Sequence, residues 1–420
     1  MPNLYQETAE PAVAAAPFSG NASTQVAVVG AGFTGLSTAL HLAERGIQVT
    51  VLEAHEPGFG ASGRNGGQVN PGLKENPDVV ESRFGAEMGA RMNALAGGAP
   101  DLVFQLIARH AIRCDSRRNG TLRAAITERQ ARLVRDTNEQ WLRRGAPVEI
   151  LERSAVAAAT GNARYALAMF DRRGGDLNPL SYARGLARAA GAAGAQIHGG
   201  ARVISLSKSG ADWSLHTAAG CLRARQVVLA TNGYTDGLWP ALKRTIVPVF
   251  GAIAATEPLP DALAQSIMPG RSVLYETGAI TVYYRIDTHN RLLFGGRGPM
   301  HEISQPAEIE PLLRYAPQLW PALKAIRWTH AWGGQLAMTT DHYPHVHEPQ
   351  PGVLIGLGYN GRGVALATAL GAELASRIAD PAHVACMPTS PLNPIPLHGF
   401  WRTGVQFAIA RARAQEMVGF

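Results

Sequence analysis

The stretch VAVVGAGFTGLSTALHLAERGIQVTVLEA, Val26 to Ala54, constrains the fold more than any other part of the chain. Val26-Ala27-Val28-Val29 is a short apolar run of the kind that forms a parallel strand buried on both faces. Gly30, Gly32 and Gly35 follow in G-x-G-x-x-G order. Leu36, Ala39, Leu40 and Ala43 then recur at helical spacing until Gly46 ends the helix. Ile47 to Leu52 makes a second strand with Glu53 at its carboxyl end. Gly30 permits the tight turn, Gly32 lets a pyrophosphate approach bare backbone, and Gly35 lets helix and strand pack closely. The helix N-terminus offers unpaired N–H groups and a partial positive charge to phosphates. Glu53, about twenty residues beyond the glycines, is placed to accept from both ribose hydroxyls and would repel a 2′-phosphate. Three glycines alone are a weak signal; the whole series of strand, turn, helix, strand and acid predicts a bound dinucleotide.

A third strand–helix unit should follow soon in a nicotinamide-binding chain. Instead comes HEPGFGASGRNGGQVNPGLKENP, a long loop rich in glycine, serine and asparagine. Loops of that length without secondary structure are usually functional. Its successive N–H groups suit an anion nest, and Ser62, Arg64 and Asn65 add donors. Two further strand-to-turn passages follow: VVLATNGYT, with Ala230, Thr231 and Asn232 at its turn, and GVLIGLGYNGRGVALATALGAELASRI. Ligands of open α/β sheets bind outside the carboxyl ends of the strands. A cofactor long enough to touch three turns and the Ser62–Gln68 loop is FAD rather than NAD.

Between these segments the pattern changes. Residues 85–145 read as helical. From about 245 to 330, TIVPVFGAIAATEPL, SVLYET, AITVYYRID and RLLFGGR read as short strands of an antiparallel sheet, with a hairpin around Thr288-His289-Asn290. Alternation puts Tyr283 and Arg285 on one face and Tyr284 on the other. Arg285 there suits a bidentate grip on a substrate carboxylate, and tyrosines suit an amine pocket. Ordinary packing within the sheet is the competing explanation. His330 is the third catalytic candidate, although histidines at such places more often serve structure.

A chain of 420 residues has ample length for two or three domains. The net charge of +7 is carried almost wholly by arginine, since Lys74, Lys208, Lys243 and Lys324 are the only lysines. No basic stripe interleaved with aromatics argues for nucleic acid. Cys114, Cys221 and Cys386 are scattered without metal spacing, which excludes a disulfide scaffold and fits a reducing compartment. The first two dozen residues lack the basic start and apolar core of a signal peptide and are expected to be an arm that packs on the body or frays. No apolar run spans a bilayer, so membrane contact is not expected and a cytoplasmic location is. The end segment FWRTGVQFAIARARAQEMVGF reads as an amphipathic helix packed on the body.

The combination of Gly30–Gly35, Glu53, FGASGRNGGQV, RRGGDLNPL, VVLATNGYT, RLLFGGR and GLGYNGRGVALAT resembles the D-amino-acid-oxidase-like family of FAD-dependent oxidoreductases. The resemblance covers nearly the whole chain. It implies an α/β fold, with a discontinuous Rossmann-like FAD-binding domain (25–84, 146–240 and 331–390) and an α+β substrate domain on an antiparallel sheet (85–145 and 241–330). Residues 1–24 are then an N-terminal arm and 391–420 a C-terminal helix. Carried over, the family pattern sets Gly30, Gly32, Phe33, Thr34 and Gly35 at the pyrophosphate and Glu53 and Ala54 at the adenosine. Ala61, Ser62, Gly63, Arg64, Asn65, Gly66, Gly67 and Gln68 run along the cofactor to the flavin. Val203, in a strand after His198, meets adenine through its backbone, and Ala230, Thr231 and Asn232 line the cofactor. Gly358, Tyr359, Asn360, Gly361, Arg362, Gly363 and Val364 contact the flavin's pyrimidine edge. A cysteine that binds FAD covalently in one branch reads Gly334 here, implying non-covalent FAD; a lysine that holds the substrate carboxylate there reads Ala365. The implied activity is oxidation of a C–N bond in an amine or amino acid of γ-glutamylputrescine type, with hydride transfer to flavin N5 and hydrolysis of the imine. The alternatives are pipecolate or another secondary amino acid as substrate, or a quinone-linked dehydrogenase. Oxygen or a quinone is the implied electron acceptor.

Overall fold

The apolar runs read from the sequence converge in one sheet. The computed structural model describes residues 3–278 and 281–418. Among these, an eight-stranded sheet runs in the order 345–350, 353–357, 220–229, 20–29, 49–52 and 196–198, with the strands 212–217 and 205–209 attached as a meander. Strands 353–357, 220–229, 20–29, 49–52 and 196–198 are parallel. Alternation divides their side chains between two cores. Val26, Val28, Val49 and Val51 face a helical layer formed by Phe33–Ala43, Pro179–Ala192 and Gly363–Ala379. Ala27, Val29, Leu52, Val227 and Leu229 face the other way, onto Phe18, Trp213 and Ile246. Where they are buried on both sides, at Val26–Val29, Val49–Leu52, Val227–Leu229 and Val353–Leu357, these strands are apolar apart from Thr50.

A nine-stranded sheet forms the second unit, in the order 328–332, 247–256, 292–297, 283–286, 273–276, 121–125, 167–171 and 148–152, with 335–338 also paired to 247–256. All of its pairs are antiparallel except 273–276 with 121–125. One face buries Leu122, Ala168, Leu274, Tyr284 and Phe294 under the short helices around 261–266 and 310–325. The other face turns toward the parallel-sheet unit.

Several expectations are corrected here. Residues 85–145 are not helical throughout: helices Ala86–Arg109 and Glu128–Arg143 flank the strand Thr121–Ala125. The first of these helices packs Met92, Ala96, Ala99, Val103 and Leu106 into the core of the parallel-sheet unit rather than with the second sheet. Conversely, Val148–Glu152, Leu167–Asp171 and Gln335–Met338 fall in segments assigned to the parallel-sheet unit yet hydrogen-bond into the second sheet. Backbone donors and acceptors decide the matter, because a buried strand must complete its ladder. Val203 lies in a loop before the strand Ser205–Ser209. Ala279 and Ile280, the first residues of the run read as a strand, lie outside the described residues.

The N-terminal arm packs on the body. Its helix Leu4–Thr8, capped by Asn3, buries Leu4 and Tyr5 completely. The chain then runs past Ser181, whose hydroxyl accepts from Glu10 N (3.0 Å), and past Arg184, which donates to the Glu10 carbonyl (2.6 Å). The C-terminal helix Trp401–Val418 differs from expectation: residues 402–404 and 406–408 are exposed, so its first turns stand largely in solvent. No helix among the described residues is long and apolar enough to cross a membrane.

Candidate functional site

The first glycine turn is built so that no other residue fits. Gly30 has φ +102°, in the left-handed half of the map, and a Cβ on it would lie 3.0 Å from the Ala230 carbonyl oxygen. A Cβ on Gly35 would lie 2.0 Å from the Gly30 carbonyl oxygen, so this helix can approach its strand only with glycine there. Gly32 caps the helix Phe33–Ala43 without any side-chain bond of its own, and the Ser62 hydroxyl accepts from Phe33 N at 3.0 Å. At the end of the next strand, the Glu53 carboxylate accepts from Ala31 N (2.7 Å) and His55 N (3.0 Å). The strands ending at Val29, Leu229 and Leu357 are neighbours, which brings Gly30, Ala230 and Gly358 to one edge. Asn232 joins two of the turns, its side-chain oxygen accepting from Gly358 N at 3.0 Å. Asn360 ties the third turn down: its amide donates to the Gly358 carbonyl (2.6 Å) and its oxygen accepts from Thr339 N (3.0 Å). The buried Tyr359 hydroxyl meets Thr34 across the helix layer. A helix N-terminus capped by a glycine, a carboxylate at the neighbouring strand end and three strand-end turns on one edge fit a long dinucleotide.

The loop from Ala61 to Gln68 crosses from this edge to the second sheet. Asn65 holds it closed by donating to the Ala61 and Ser62 carbonyls (3.1 and 2.8 Å) and accepting from Gly67 N (2.8 Å). Gln68 reaches the Leu274 carbonyl at 3.0 Å. Arg64 is mostly buried, stacked over Phe59 and 3.4 Å from the Glu302 carboxylate.

Strand register places the remaining groups. On the face of the second sheet turned toward the loop, one row runs Met169, Arg123, Tyr275, Tyr283, Gly295, Ile253 and Trp332, each the partner of the next. The loop lies over one end of this row, where Gly66 packs on the Tyr283 ring and the Trp332 indole donates to the Arg64 carbonyl (3.1 Å). Burial raises the Tyr283 pKa. At the other end the row floors a partly open pocket, lined also by Pro71, Glu75, Trp141 and Arg362. Arg362 sits at the N-terminus of the helix Gly363–Ala379 and donates to the Pro71 carbonyl and to the Tyr275 hydroxyl (3.0 Å). The cavity thus joins the third glycine turn to the face of the second sheet.

Two of the three catalytic candidates lie elsewhere. Arg285 and His330 belong to the next row, Arg285–Leu293–Ala255–His330, and the N-terminal helix covers it. Arg285 is buried, with Nη1 2.8 Å from Asp176 and further bonds to the Gly66 carbonyl (2.8 Å), the Leu177 carbonyl (3.1 Å) and the Tyr5 hydroxyl (3.4 Å). Burial works against its charge, yet Tyr5 and Asp176 outweigh it and raise the pKa. All of this guanidinium's nitrogens are engaged, so it clamps the fold and not a substrate. His330 pairs with Glu7 of the arm at 3.1 Å. Tyr283 is on the row that continues to the pocket but lies under the loop. The pocket-lining residues that the sequence reading did not single out include Arg123, Tyr275 and Trp141. The signal for Arg123 was the Asn119-Gly120 turn followed by Thr121-Leu122-Arg123-Ala124-Ala125, a turn opening a short strand.

Comparison with known proteins agrees with this architecture. The chain is 33% identical over 344 residues to the gamma-glutamylputrescine oxidoreductase of Escherichia coli, covering 81% of this chain and 80% of that protein. Among solved structures, glycine oxidase from Geobacillus kaustophilus superposes with a TM-score of 0.73 at 22% identity, over 89% of this chain and 99% of that one. L-proline dehydrogenase from P. horikoshii follows with a TM-score of 0.70 at 19% identity, over 85% and 94% of the two chains. The model of the DAO family, FAD dependent oxidoreductase, matches residues 25–377, and the chain belongs to that family.

Proposed function

We propose that this FAD-dependent oxidoreductase oxidises the C–N bond of an amine of γ-glutamylputrescine type in the cavity floored by Arg123 and Tyr275. The observation that carries the reading is the position of that cavity, with Arg362 of the third glycine turn in one wall and the tyrosine row of the second sheet below. The name of the E. coli relative supports the substrate. The chemistry FAD supplies when bound is acceptance of a hydride from the carbon bearing nitrogen, and water then hydrolyses the imine to a carbonyl compound and an amine or ammonia. Gly30, Gly32, Gly35, Glu53 and the Ala61–Gln68 loop would hold the cofactor. Gly334, beside Ala61 and Arg64, offers no side chain for a covalent link to it.

The chain's own groups prepare the substrate. Its nitrogen must be neutral for the lone pair to assist hydride loss. A cavity withdrawn from water and flanked by Arg123 and Arg362 lowers the pKa of an amine placed there. Trp141 and Tyr275 line it. Electrons pass on to oxygen or a quinone in this reading, and three free cysteines support a cytoplasmic setting. The test is anaerobic addition of γ-glutamylputrescine to the purified protein while the visible flavin band is followed. Bleaching within seconds is the expected result. A band that stays intact with γ-glutamylputrescine yet bleaches with pipecolate would overturn the substrate assignment.

A further inference from the structure

The loops at the two ends of the cofactor edge are fastened by the same piece of chain. At the flavin end, the Ala61–Gln68 loop is tied to the arm's helix Leu4–Thr8. The Tyr5 ring packs edge-on to Trp332, whose indole holds the Arg64 carbonyl (3.1 Å). The Tyr5 hydroxyl accepts from Arg285 (3.4 Å), and that guanidinium also donates to the Gly66 carbonyl (2.8 Å). At the adenosine end, residues 198–201 are laced to the strand end that carries Glu53. Glu53 N donates to the His198 carbonyl (2.9 Å), Gly200 N to the His55 carbonyl (2.7 Å) and Ala201 N to the Glu53 carbonyl (2.7 Å). The arm grips the same segment. The Ala15 carbonyl accepts from Gly199 N (3.4 Å) and the Ala16 carbonyl from the His198 ring (3.0 Å). Phe18 is buried edge-on to His198 (centroids 5.3 Å apart), in one core with Leu52 and Val203. A Cβ on Gly199 would lie 2.8 Å from the His55 carbonyl oxygen and 3.2 Å from that of Ala15, so three segments meet there closely. Between its ends the arm is pinned to the helix Pro179–Ala192 by Ser181 and Arg184 at Glu10, and by Arg188 at the Pro11 carbonyl (3.2 Å). All of these arm residues lie outside the 25–377 span that matches the family model.

We infer that the arm, residues 3–18, is a strap that retains FAD by bracing the loops at both of its ends, with Tyr5 and Phe18 as anchors. The inference rests on reading FAD as lying, without a covalent link, along the glycine turns and the Ala61–Gln68 loop. A cofactor held by loops is bound in proportion to the fraction of time those loops keep the binding arrangement. Glycine-rich chain loses the most backbone freedom on being ordered, so a brace from outside has the most to add there. Tyr5 and Phe18 are therefore positioning residues, acting through the loops. One strap on both loops also makes the order of the adenosine end and of the flavin end depend on a single element.

The test is serial dilution of the full-length holoprotein, with released FAD measured in the filtrate and no turnover required. Phe18→Ala and Tyr5→Ala should each raise the Kd for FAD about tenfold, the change expected if an unbraced loop is competent about a tenth of the time. Leu323→Ala, a truncation in the outer core of the second sheet, controls for a general loss of stability and should leave the Kd nearly unchanged. A Kd unchanged in the arm variants would overturn the strap, and so would an equal rise in Leu323→Ala. Reciprocity supplies a second measurement that needs no variant. Hydrogen exchange in residues 3–18 should be slower in the wild-type holoprotein than in the same protein depleted of FAD. Equal exchange in the two would overturn the strap even where the variants fail to fold. Gly30→Val, which blocks the first turn, should abolish FAD binding. FAD retained by that variant would refute the cofactor's placement on which the strap rests, a failure distinct from an arm without effect on the Kd.

Discussion

Arg285 and Arg123 stand on the same face of one sheet, and both guanidiniums are withdrawn from water, yet their surroundings are opposite. Arg285 has a carboxylate, two carbonyls and a phenol around it and is closed in by the N-terminal helix. Arg123 has two neutral acceptors and a cavity in front of it. One is satisfied by the protein and serves the fold, while the other has only neutral partners and a pocket in front of it. The difference teaches that residue type and strand position do not assign a role in this interface; the completeness of the partner set does.

Three substitutions would sharpen or break this contrast. The largest effect is expected for Arg285→Ala, which leaves Asp176 buried with only Arg117 beside it. Breaking such a pair costs about 3–5 kcal/mol, read by denaturant unfolding, and a loss below 1 kcal/mol would refute the clamp. Tyr5→Ala comes next, removing a buried ring that packs edge-on to Trp332 (centroids 5.2 Å apart), with an expected loss of about 3 kcal/mol. A melting curve unchanged by it would mean the arm is not part of the folded unit. The smallest effect belongs to Arg123→Met. With no ion pair to break, stability should change by less than about 1 kcal/mol in the absence of ligand. A loss as large as that of Arg285→Ala would erase the distinction between the two arginines.

The parts of this fold that were legible in the sequence are those whose chemistry is local. A turn that admits only glycine at Gly30 and Gly35 announces itself in the sequence, as does an acid at a strand end. The alternation Tyr283, Tyr284, Arg285 correctly divided those three between two faces, since period two is a property of any strand. What sits over a face is not local. The cover on Arg285 comes from residues 4–8, and the open front of Arg123 depends on a parallel pairing between strands 121–125 and 273–276. The strand Thr121–Ala125 was absorbed into its helical flanks because five residues carry too little periodicity to stand out between two helices. The domain limits moved for the same reason, since Leu167–Asp171 and Gln335–Met338 are held by ladders to strands 121–125 and 247–256, far away in sequence.

The N-terminal helix carries one more consequence, for the order in which the chain assembles. Five residues are too short to hold a helix unaided, so Leu4–Thr8 gains its structure from Ile253, Leu293 and Trp332. During synthesis those partners emerge long after Leu4 and Tyr5 have left the ribosome. The first element of the chain is therefore among the last to settle, acting as a latch drawn across the joint once both sheets exist. Until then Arg285 and Asp176 are exposed on that side, and the joint between the two units is the step at which folding is most open to diversion.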